Sequence, residues 1–420
     1  MDAPKQVPAV ELRISITDTD PLIWRQVVLP ETVTISELHG AIQKAFGWQD
    51  YHLFGVRAVD REGRPRVIIG GDDDVNESDT EAADDVRLLE LIDPAQPGTA
   101  VEYEYDFGDT WTHRVEVIGP AKISENTIIC LDGAMRGPVE DSGGTGGYAN
   151  FIKVLGNPSH PEYLDAAEWF EMVTGEQAED FDPAAFDLVE INGRLHQLGR
   201  RLWPGDPTSK DMESVFAPLL WLLHEAAPDG LELTSAGYLK PAIVKRAMTE
   251  LGWDDEWFGT GRNERNVNPI LRLRSLLQDW KLLRKLKDRL TLTPAGRRVA
   301  GDPAVLWDYA ADCLAFPAHP ADRVMTQLLV HWAVEGTPPP IEKRGKIIQM
   351  ALYQEGLRAH DGGDIPLEWV HELSREIGQS MRCLVLNESP SWMSSLHGEL
   401  SDAGLRFLLD VQRRMRERAA

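Results

Sequence analysis

Cysteine is scarce in this 420-residue chain, and its three cysteines are far apart: Cys130, Cys313 and Cys383. They form no CxxC pair and no Cys/His spacing typical of structural zinc. An odd and sparse count does not suit a disulfide-stapled secreted protein. We therefore expect a reducing cytoplasm as the location.

Long apolar runs and targeting signals are also lacking. No run of about 18 apolar residues is present, which predicts no transmembrane helix and no membrane partner. The first residues, MDAPKQVPAV, do not show the basic-then-apolar pattern of a secretory signal. With 26% charged and 42% hydrophobic residues, the composition is that of a globular protein with two or three domains.

Positive charge is in short supply overall, because the formal net charge is −25. This excludes a uniformly basic nucleic-acid binder or membrane-surface protein. The deficit is uneven: residues 1–206 carry 16 Lys+Arg against 39 Asp+Glu, whereas residues 207–420 carry 27 against 29. The two halves are therefore expected to meet different partners, and a basic protein is the expected partner of the acidic half.

The N-terminal half reads as a strand-rich sheet with packed helices. Alternating or apolar segments at 10–17, 23–29, 52–59, 86–92, 100–105 and 111–118 predict strands. Ser36 is the predicted N-cap of one amphipathic helix, and short helices are expected near 148–155, 161–172 and 183–188. The C-terminal half is mainly helical, so the predicted class is α+β. We expect domains at 1–204, 205–310 and 311–420, since WPGDPTSKD (203–211) coincides with the charge change.

The C-terminal half repeats a short motif, L-S/T-x-A-G, at 233–237, 292–296 and 400–404. It predicts a strand end, a Ser/Thr helix cap, and a helix whose early glycine allows close packing. Around the second copy, the order helix, strand, helix, helix, hairpin, helix is that of a winged helix-turn-helix. LTLTPAGRRVA resembles the segment after the wing in MarR-like regulators. Residues 305–420 are a candidate second, degenerate copy.

Charge supports nucleic-acid contact by the first copy, because residues 260–298 carry a local net charge of +8. In helix-turn-helix proteins one helix enters the major groove, and flanking cations contact phosphate. The candidate nucleic-acid-binding residues are Arg265, Arg272, Arg274, Gln278, Lys281, Lys285, Lys287 and Arg289. Duplex DNA is the expected ligand of residues 260–298, although a solvated helix face or a protein-docking winged helix remains an alternative.

Four segments of the N-terminal half carry a family resemblance: LRISITDTDPLIWRQVVLP, SELHGAIQKAFGWQDYHLFGV, YEYDFGDTWTHRVEV and CLDGAMRGPVEDSGGTGGYANF. Over about residues 8–195 the chain resembles the family named after the third open reading frame of an agrobacterial Ri plasmid. That family is also described as TnpR-like passenger proteins of insertion elements. The resemblance implies a bacterial protein that accompanies plasmids or mobile elements, in a largely uncharacterised family.

The residues do not support recombinase chemistry, because no serine-resolvase frame surrounds Arg13 or Arg25. For a tyrosine recombinase, the spacing of His371 and Arg375 is one residue too long, and the last tyrosine precedes them. An acid/base or metal site is the alternative if the segment around 106–113 meets the Gly-rich segment 133–147. Its candidate catalytic residues are Asp109, His113, Glu140 and Asp141, and its candidate metal ligands are Asp106, Asp109 and His113. Trp111 and Cys130 lie in the same motifs.

The Gly-rich segment GAMRGPVEDSGGTGG lacks the Gly-Lys-Ser/Thr of a P-loop and any dinucleotide fingerprint. It favours a tight loop whose glycines permit positive φ. No cofactor is expected. The sequence favours a non-enzymatic, DNA-associated regulatory or mobile-element accessory protein, whose acidic domain docks a partner or restrains DNA binding. A hydrolase- or nuclease-like enzyme with its site in the N-terminal domain, or a protein–protein scaffold, are the alternatives.

Overall fold

The computed structural model describes residues 5–59, 63–70, 80–254, 263–336, 338–388 and 398–419. The chain divides into a first unit, Met1–Trp203, and a second unit, Pro204–Ala420. The fold is α+β, as predicted. Among the described residues, no helix combines the length and apolar character needed to cross a bilayer. Residues 260–262 of the predicted DNA-contacting range lie outside the described residues.

The first unit is built on an eight-stranded sheet, as counted over its described residues. The strands are β1 (Gln6–Ile16), β2 (Trp24–Pro30), β3 (Phe54–Val59), β4 (Pro65–Gly70), β5 (Glu81–Ala82), β6 (Ala100–Tyr105), β7 (Trp111–Ser124) and β8 (Ile129–Ala134). Their order is β5-β4-β3-β6-β7-β1-β2-β8, antiparallel except for the β4–β5 pair. The predicted strand at 86–92 contains a 3₁₀ turn instead, Leu88–Glu90. Strands β4, β5 and β8 were not predicted.

Helices pack on this sheet: α1 (Ile35–Phe46), α2 (Gly144–Leu155), α3 (Tyr163–Thr174) and α4 (Leu188–Leu202). The N-cap of α1 is Thr34 rather than the predicted Ser36. Thr34 Oγ1 accepts from the Glu37 N–H, and the Glu37 carboxylate accepts from the Thr34 N–H, which makes a capping box. The short helix predicted at 183–188 is wrong, because those residues form a turn and the N-cap Asp187. α4 begins only at Leu188, and its residues Ile191, Leu195 and Leu198 form a buried stripe at helical spacing.

The second unit is predominantly helical. Its elements are α5 (Ser209–Val215), α6 (Ala217–Glu225), β9 (Leu231–Glu232), α7 (Pro241–Glu250), α8 (Asn268–Asp279), β10 (Leu283–Leu286), β11 (Arg289–Leu292), α9 (Pro294–Ala300), α10 (Pro303–Ala315), α11 (Pro320–Glu335), α12 (Ile341–Gln354), α13 (Leu367–Met381) and α14 (Asp402–Ala419). The three short strands form an antiparallel sheet in the order β10-β11-β9. One continuous cluster of buried side chains runs from Val215 to Val411, across the boundary predicted at 310.

The L-S/T-x-A-G motif has one geometry in its second and third copies. Thr293 Oγ1 accepts from the Gly296 N–H, and Ser401 Oγ accepts from the Gly404 N–H, each at 3.0 Å. These hydroxyls cap the starts of α9 and α14. In the first copy, Thr234 Oγ1 accepts from the Tyr238 N–H and closes a turn. The helix cap that the motif predicts is therefore wrong for the first copy, and the helix that follows it, α7, begins at Pro241.

Gly296→Ala is expected to destabilise the chain despite the better helix propensity of alanine. A Cβ at Gly296 would lie 2.1 Å from the Leu282 carbonyl oxygen, so the α9 start would have to move away. We expect a loss of about 1–3 kcal/mol in the free energy of unfolding, measured by denaturant titration. Gly301→Ala, where the nearest such atom is 3.9 Å away, is the control and should change stability by less than about 0.5 kcal/mol. Equal effects at both glycines would contradict the close-packing account.

Candidate functional site

In the first unit, the turn after β6 meets the Gly-rich segment after β8. The Asp109 carboxylate accepts a hydrogen bond from the Gly143 N–H at 2.8 Å, although the two residues are 34 positions apart. Asp106 Oδ1 accepts from the Gly108 and Asp109 N–H groups and shapes the same turn. Asp109 and Asp106 are therefore both held at this junction by backbone donors.

Three side chains converge at the junction, and we name them the His52 cluster: His52, Asp106 and Asp141. His52 Nε2 lies 2.9 Å from Asp141 Oδ1 and 3.6 Å from Asp106 Oδ2. The three atoms all lie within 4.8 Å of one another. Asp106 is buried, whereas Asp141 is exposed and His52 is half-buried. The sequence motifs indicated both aspartates but missed His52, which comes from the segment between α1 and β3.

Buried neighbours fix the backbone on both sides of this cluster. Tyr105, which precedes Asp106, donates its hydroxyl hydrogen to Glu140, which precedes Asp141. The other Glu140 oxygen accepts from the Gln49 N–H at 2.8 Å. Burial, and next the Glu140 carboxylate, raise the pKa of Tyr105, so this hydroxyl remains a donor at neutral pH. Glu140 therefore holds the segments that carry Asp106 and Asp141 in place through buried hydrogen bonds.

His113 does not belong to the cluster, which corrects its prediction as a catalytic residue and metal ligand. It is fully buried on β7, and its Nδ1–H faces the Trp111 carbonyl at 2.9 Å. The rings of Phe46, Trp48 and Tyr103 contact it edge-on with centroids 5.1–5.3 Å away. Burial lowers the pKa of His113 to about 3, so the ring is neutral near pH 7.

Cys130, another residue of these motifs, is also buried. Its thiol donates to the Asp132 carbonyl oxygen at 3.3 Å, and burial raises its pKa. A thiol with a raised pKa is a poor nucleophile at neutral pH, because little thiolate is present. Cys130 and Trp111 therefore pack the core of the first unit.

The burial of His113 predicts a specific acid sensitivity. The ring binds its proton near pH 6.5 in the unfolded chain but only near pH 3 in the folded chain, so stability is lost as pH falls through this window. Replacing His113 with phenylalanine, which does not titrate, removes that dependence. Between about pH 6.5 and 4.5 the variant should gain about 2–3 kcal/mol relative to the natural chain in denaturant titrations. Parallel pH curves for the two proteins would contradict this.

In the second unit, an exposed group of cations surrounds the β10–β11 hairpin, and we name it the basic hairpin: Lys281, Arg284, Lys285 and Lys287. All four side chains are exposed. None has an ion-pair or hydrogen-bond partner within the part of the chain that the structure describes. Leu286, which is 52% exposed, lies among them. A solvent-facing cluster of unpaired cations is suited to polyanions.

Helix α8, which was predicted to read DNA bases, is much less exposed to solvent than the basic hairpin. Of its residues only Asp279 is exposed, and the others are buried or half-buried. Arg274 is 8% exposed, and its guanidinium bonds the Glu264 carboxylate at 2.9 Å, the Gly237 carbonyl and Gln278 Oε1. Arg274 therefore stabilises the unit internally, which corrects its prediction as a nucleic-acid contact, whereas Gln278 is half-buried and gives only its Oε1 to that guanidinium.

The remaining predicted cations fall into three environments. Arg289 bonds the carbonyls of Asp229 and Gly230 and lies 3.6 Å from Glu232, so it holds β11 beside β9. Arg272 is half-buried on α8, and its Nε has no partner among the described residues. Arg265 is exposed in the short 3₁₀ turn before α8. Of the eight predicted residues, the structure thus brings Lys281, Lys285 and Lys287 together, joined by Arg284.

Comparison with known proteins covers each unit separately. The family model of plasmid pRiA4b ORF-3-like proteins matches residues 8–190, and the model of the Y4jL N-terminal domain matches residues 214–305. The uncharacterized protein y4hQ of Sinorhizobium fredii is 31% identical over 196 residues, which are 46% of this chain and 93% of that protein. A crystal structure of protein of unknown function MM3350 from Methanosarcina mazei Go1 is similar at 30% identity, with a TM-score of 0.38. The matched region covers 44% of this chain and 97% of the chain in that crystal structure.

Proposed function

This chain belongs to the plasmid pRiA4b ORF-3-like family, and from that premise we propose that it is a non-enzymatic, DNA-associated protein of the bacterial cytoplasm. Its role is that of a regulator or an accessory of a mobile element. The second unit contacts duplex DNA through the basic hairpin. The free thiols of Cys130, Cys313 and Cys383 are consistent with a reducing compartment.

The observation that carries the proposal is the set of four unpaired cations on the basic hairpin. Surface Lys and Arg side chains are commonly neutralised by nearby carboxylates, as Lys240 is by Glu232 in the same unit. Here four cations face solvent within seven residues, beside a single acid, Asp288. Exposed cations without carboxylate partners are suited to contact a phosphate backbone, because such contacts release counterions from the nucleic acid.

We interpret α6, β9, α7, α8, β10, β11 and α9 as a winged helix whose wing is the basic hairpin. The element order and the β10-β11-β9 sheet support this interpretation. Because α8 is largely covered, with contacts to α13 among others, the wing rather than a groove-reading helix makes the DNA contact. Phosphate contacts position a protein without reading bases, so we expect binding with little sequence preference.

The proposal also assigns a basic protein partner to the first unit. Residues 154–193 contain no Lys or Arg, and ten Asp and Glu side chains occur between positions 162 and 190. Leu164, Met172 and Val189 are 78%, 72% and 84% exposed on the same segment. An oligo-lysine peptide should slow hydrogen exchange across α3, and Glu168→Lys should remove this protection. Protection confined to other elements would contradict this assignment.

The test of DNA contact is titration of the full-length chain against a fluorescently labelled duplex over a range of salt concentrations. With four phosphate contacts, the logarithm of the affinity should fall against the logarithm of salt with a slope of about −3 to −4. An unrelated duplex of equal length should bind almost as tightly. Absence of salt-sensitive binding would end the DNA proposal and leave protein–protein scaffolding as the function of the second unit.

A further inference from the structure

We propose that the His52 cluster in the first unit is a binding site for one divalent transition-metal cation of the zinc, manganese or cobalt class. The inference concerns a different unit and a different ligand from the DNA contact, so either can fail without the other. An imidazole nitrogen with two carboxylate oxygens is a donor set that suits these ions better than magnesium or calcium.

The distances between the ligand atoms of the His52 cluster are close to those around a tetrahedral metal ion. Ligand atoms about 2.1 Å from a tetrahedral metal lie about 3.4 Å from each other. The distances from His52 Nε2 to the two carboxylate oxygens, 2.9 Å and 3.6 Å, lie on either side of that value. All three ligand atoms are within 4.8 Å of one another, so they converge on one place where an ion could be held.

The orientation of the Asp106 carboxylate supports its role as a metal ligand. Its Oδ1 is occupied by two backbone N–H groups, which fix the carboxylate orientation. Its Oδ2 has no hydrogen-bond donor among the described residues, and its nearest polar contact is His52 at 3.6 Å. The residue as a whole is 8% exposed, so its carboxylate is held at the edge of the buried core. Asp106 Oδ2 therefore faces the cluster with no hydrogen-bond donor of its own in the described structure and is available to bind a cation.

Within the part of the chain that the structure describes, His52 is the basic group that pairs with the carboxylates of the cluster, and no lysine or arginine does. The net charge of the surrounding half, −23 over residues 1–206, attracts cations to it. The Tyr105–Glu140 hydrogen bond joins the residues that precede the two aspartates and so fixes their positions. Hydrogen bonds behind the ligands commonly have this role at metal sites. Asp141 is 58% exposed at its side chain, so an ion would be reachable from solvent and keep coordination positions for water.

The test uses the full-length chain, first freed of metal with a chelator and then titrated with Zn²⁺ or Co²⁺ alone by calorimetry. One ion should bind per chain, and Co²⁺ should give the visible absorption of a site with nitrogen and oxygen ligands. His52→Ala and Asp106→Asn should each weaken the ion by about 10–100-fold. Asp165→Asn and Asp182→Asn, which change exposed acids outside the cluster, should leave the affinity unchanged.

Thermal unfolding gives a second readout, because an ion at 100 times its Kd stabilises the folded state by about 2.7 kcal/mol. That stabilisation should be present in the natural chain and in the two control variants, and absent in His52→Ala and Asp106→Asn. Circular dichroism of the metal-free variants establishes that they are folded. The proposal is overturned if no ion binds, or if the cluster variants and the control variants bind it equally.

Discussion

Replacing Lys285 and Lys287 together by glutamate is expected to weaken binding of the full-length chain to duplex DNA by about 50-fold near 0.1 M salt. Each lysine is exposed and without a carboxylate partner in the described structure, so each is free to release about one counterion from the duplex. The slope of the logarithm of affinity against the logarithm of salt should shrink by about 1.8. Fluorescence anisotropy at several salt concentrations measures both quantities.

The matched control is the double replacement of Lys343 and Lys346, two exposed lysines on α12, by glutamate. It changes the net charge of the chain by the same amount, so it reports the effect of total charge alone. We expect its affinity to stay within about threefold of the natural chain. If the two double variants weaken binding equally, the basic hairpin is not the contact and the long-range charge of the protein explains the binding.

Glu264→Ala is expected to have the largest effect on stability, about 3–5 kcal/mol in the free energy of unfolding. Glu264 is fully buried, and it accepts from the Leu239 N–H as well as from Arg274. Burial raises the pKa of this carboxyl, while the Leu239 N–H and Arg274 act against that shift. Removing Glu264 leaves the Arg274 guanidinium buried without a counter-charge, which is far more costly than losing an exposed pair.

Denaturant titration followed through the transition of the second unit measures this effect. Glu417→Ala, which breaks the exposed pair with Arg413 on α14, is the control and should cost less than about 1 kcal/mol. Adding Arg274→Met to Glu264→Ala should recover part of the loss, because the uncompensated cation is removed. A loss below about 1 kcal/mol for Glu264→Ala, or no recovery in the double variant, would contradict the structural role of the pair.

Local sequence signals predicted much of the fold because they act within a few residues. The alternation in β1 and β7, and the caps of α9 and α14, are of this kind. The helix cap predicted for the first L-S/T-x-A-G copy was wrong because the same five residues also form a turn, which Thr234 closes. The start of the following helix is set a few residues later, because Pro241 occupies the first position of α7.

The candidate site was harder to predict because it joins segments that are distant in sequence. His52 is 54 residues from Asp106 and 89 residues from Asp141, so no local spacing indicates the cluster. His113 was misassigned although a signal was present. It alternates with Trp111, Val115 and Val117 on β7, and that period of two places it on the buried face.

In the second unit the charge pattern predicted a basic surface but could not predict which cations reach solvent. Arg274 lies in a basic segment and was therefore expected on the surface. It is one helical turn from both Ile270 and Gln278, and its side chain faces inward, toward Glu264. Glu264 precedes α8 and is itself buried, so its role depends on tertiary packing rather than on spacing. The exposed hairpin, whose length and turn are local features, was predicted with less ambiguity.

The most direct test of the central claim is photo-crosslinking of the full-length chain to a labelled duplex. A benzophenone side chain is placed in turn at Leu286 on the hairpin, at Ser275 on α8 and at Met350 on α12; Leu286 and Met350 are exposed, and Ser275 is half-buried. The account predicts a salt-sensitive crosslink from position 286 and none from 275 or 350. Crosslinks from position 275 or 350 without one from 286, or binding with no crosslink from 286, would contradict it.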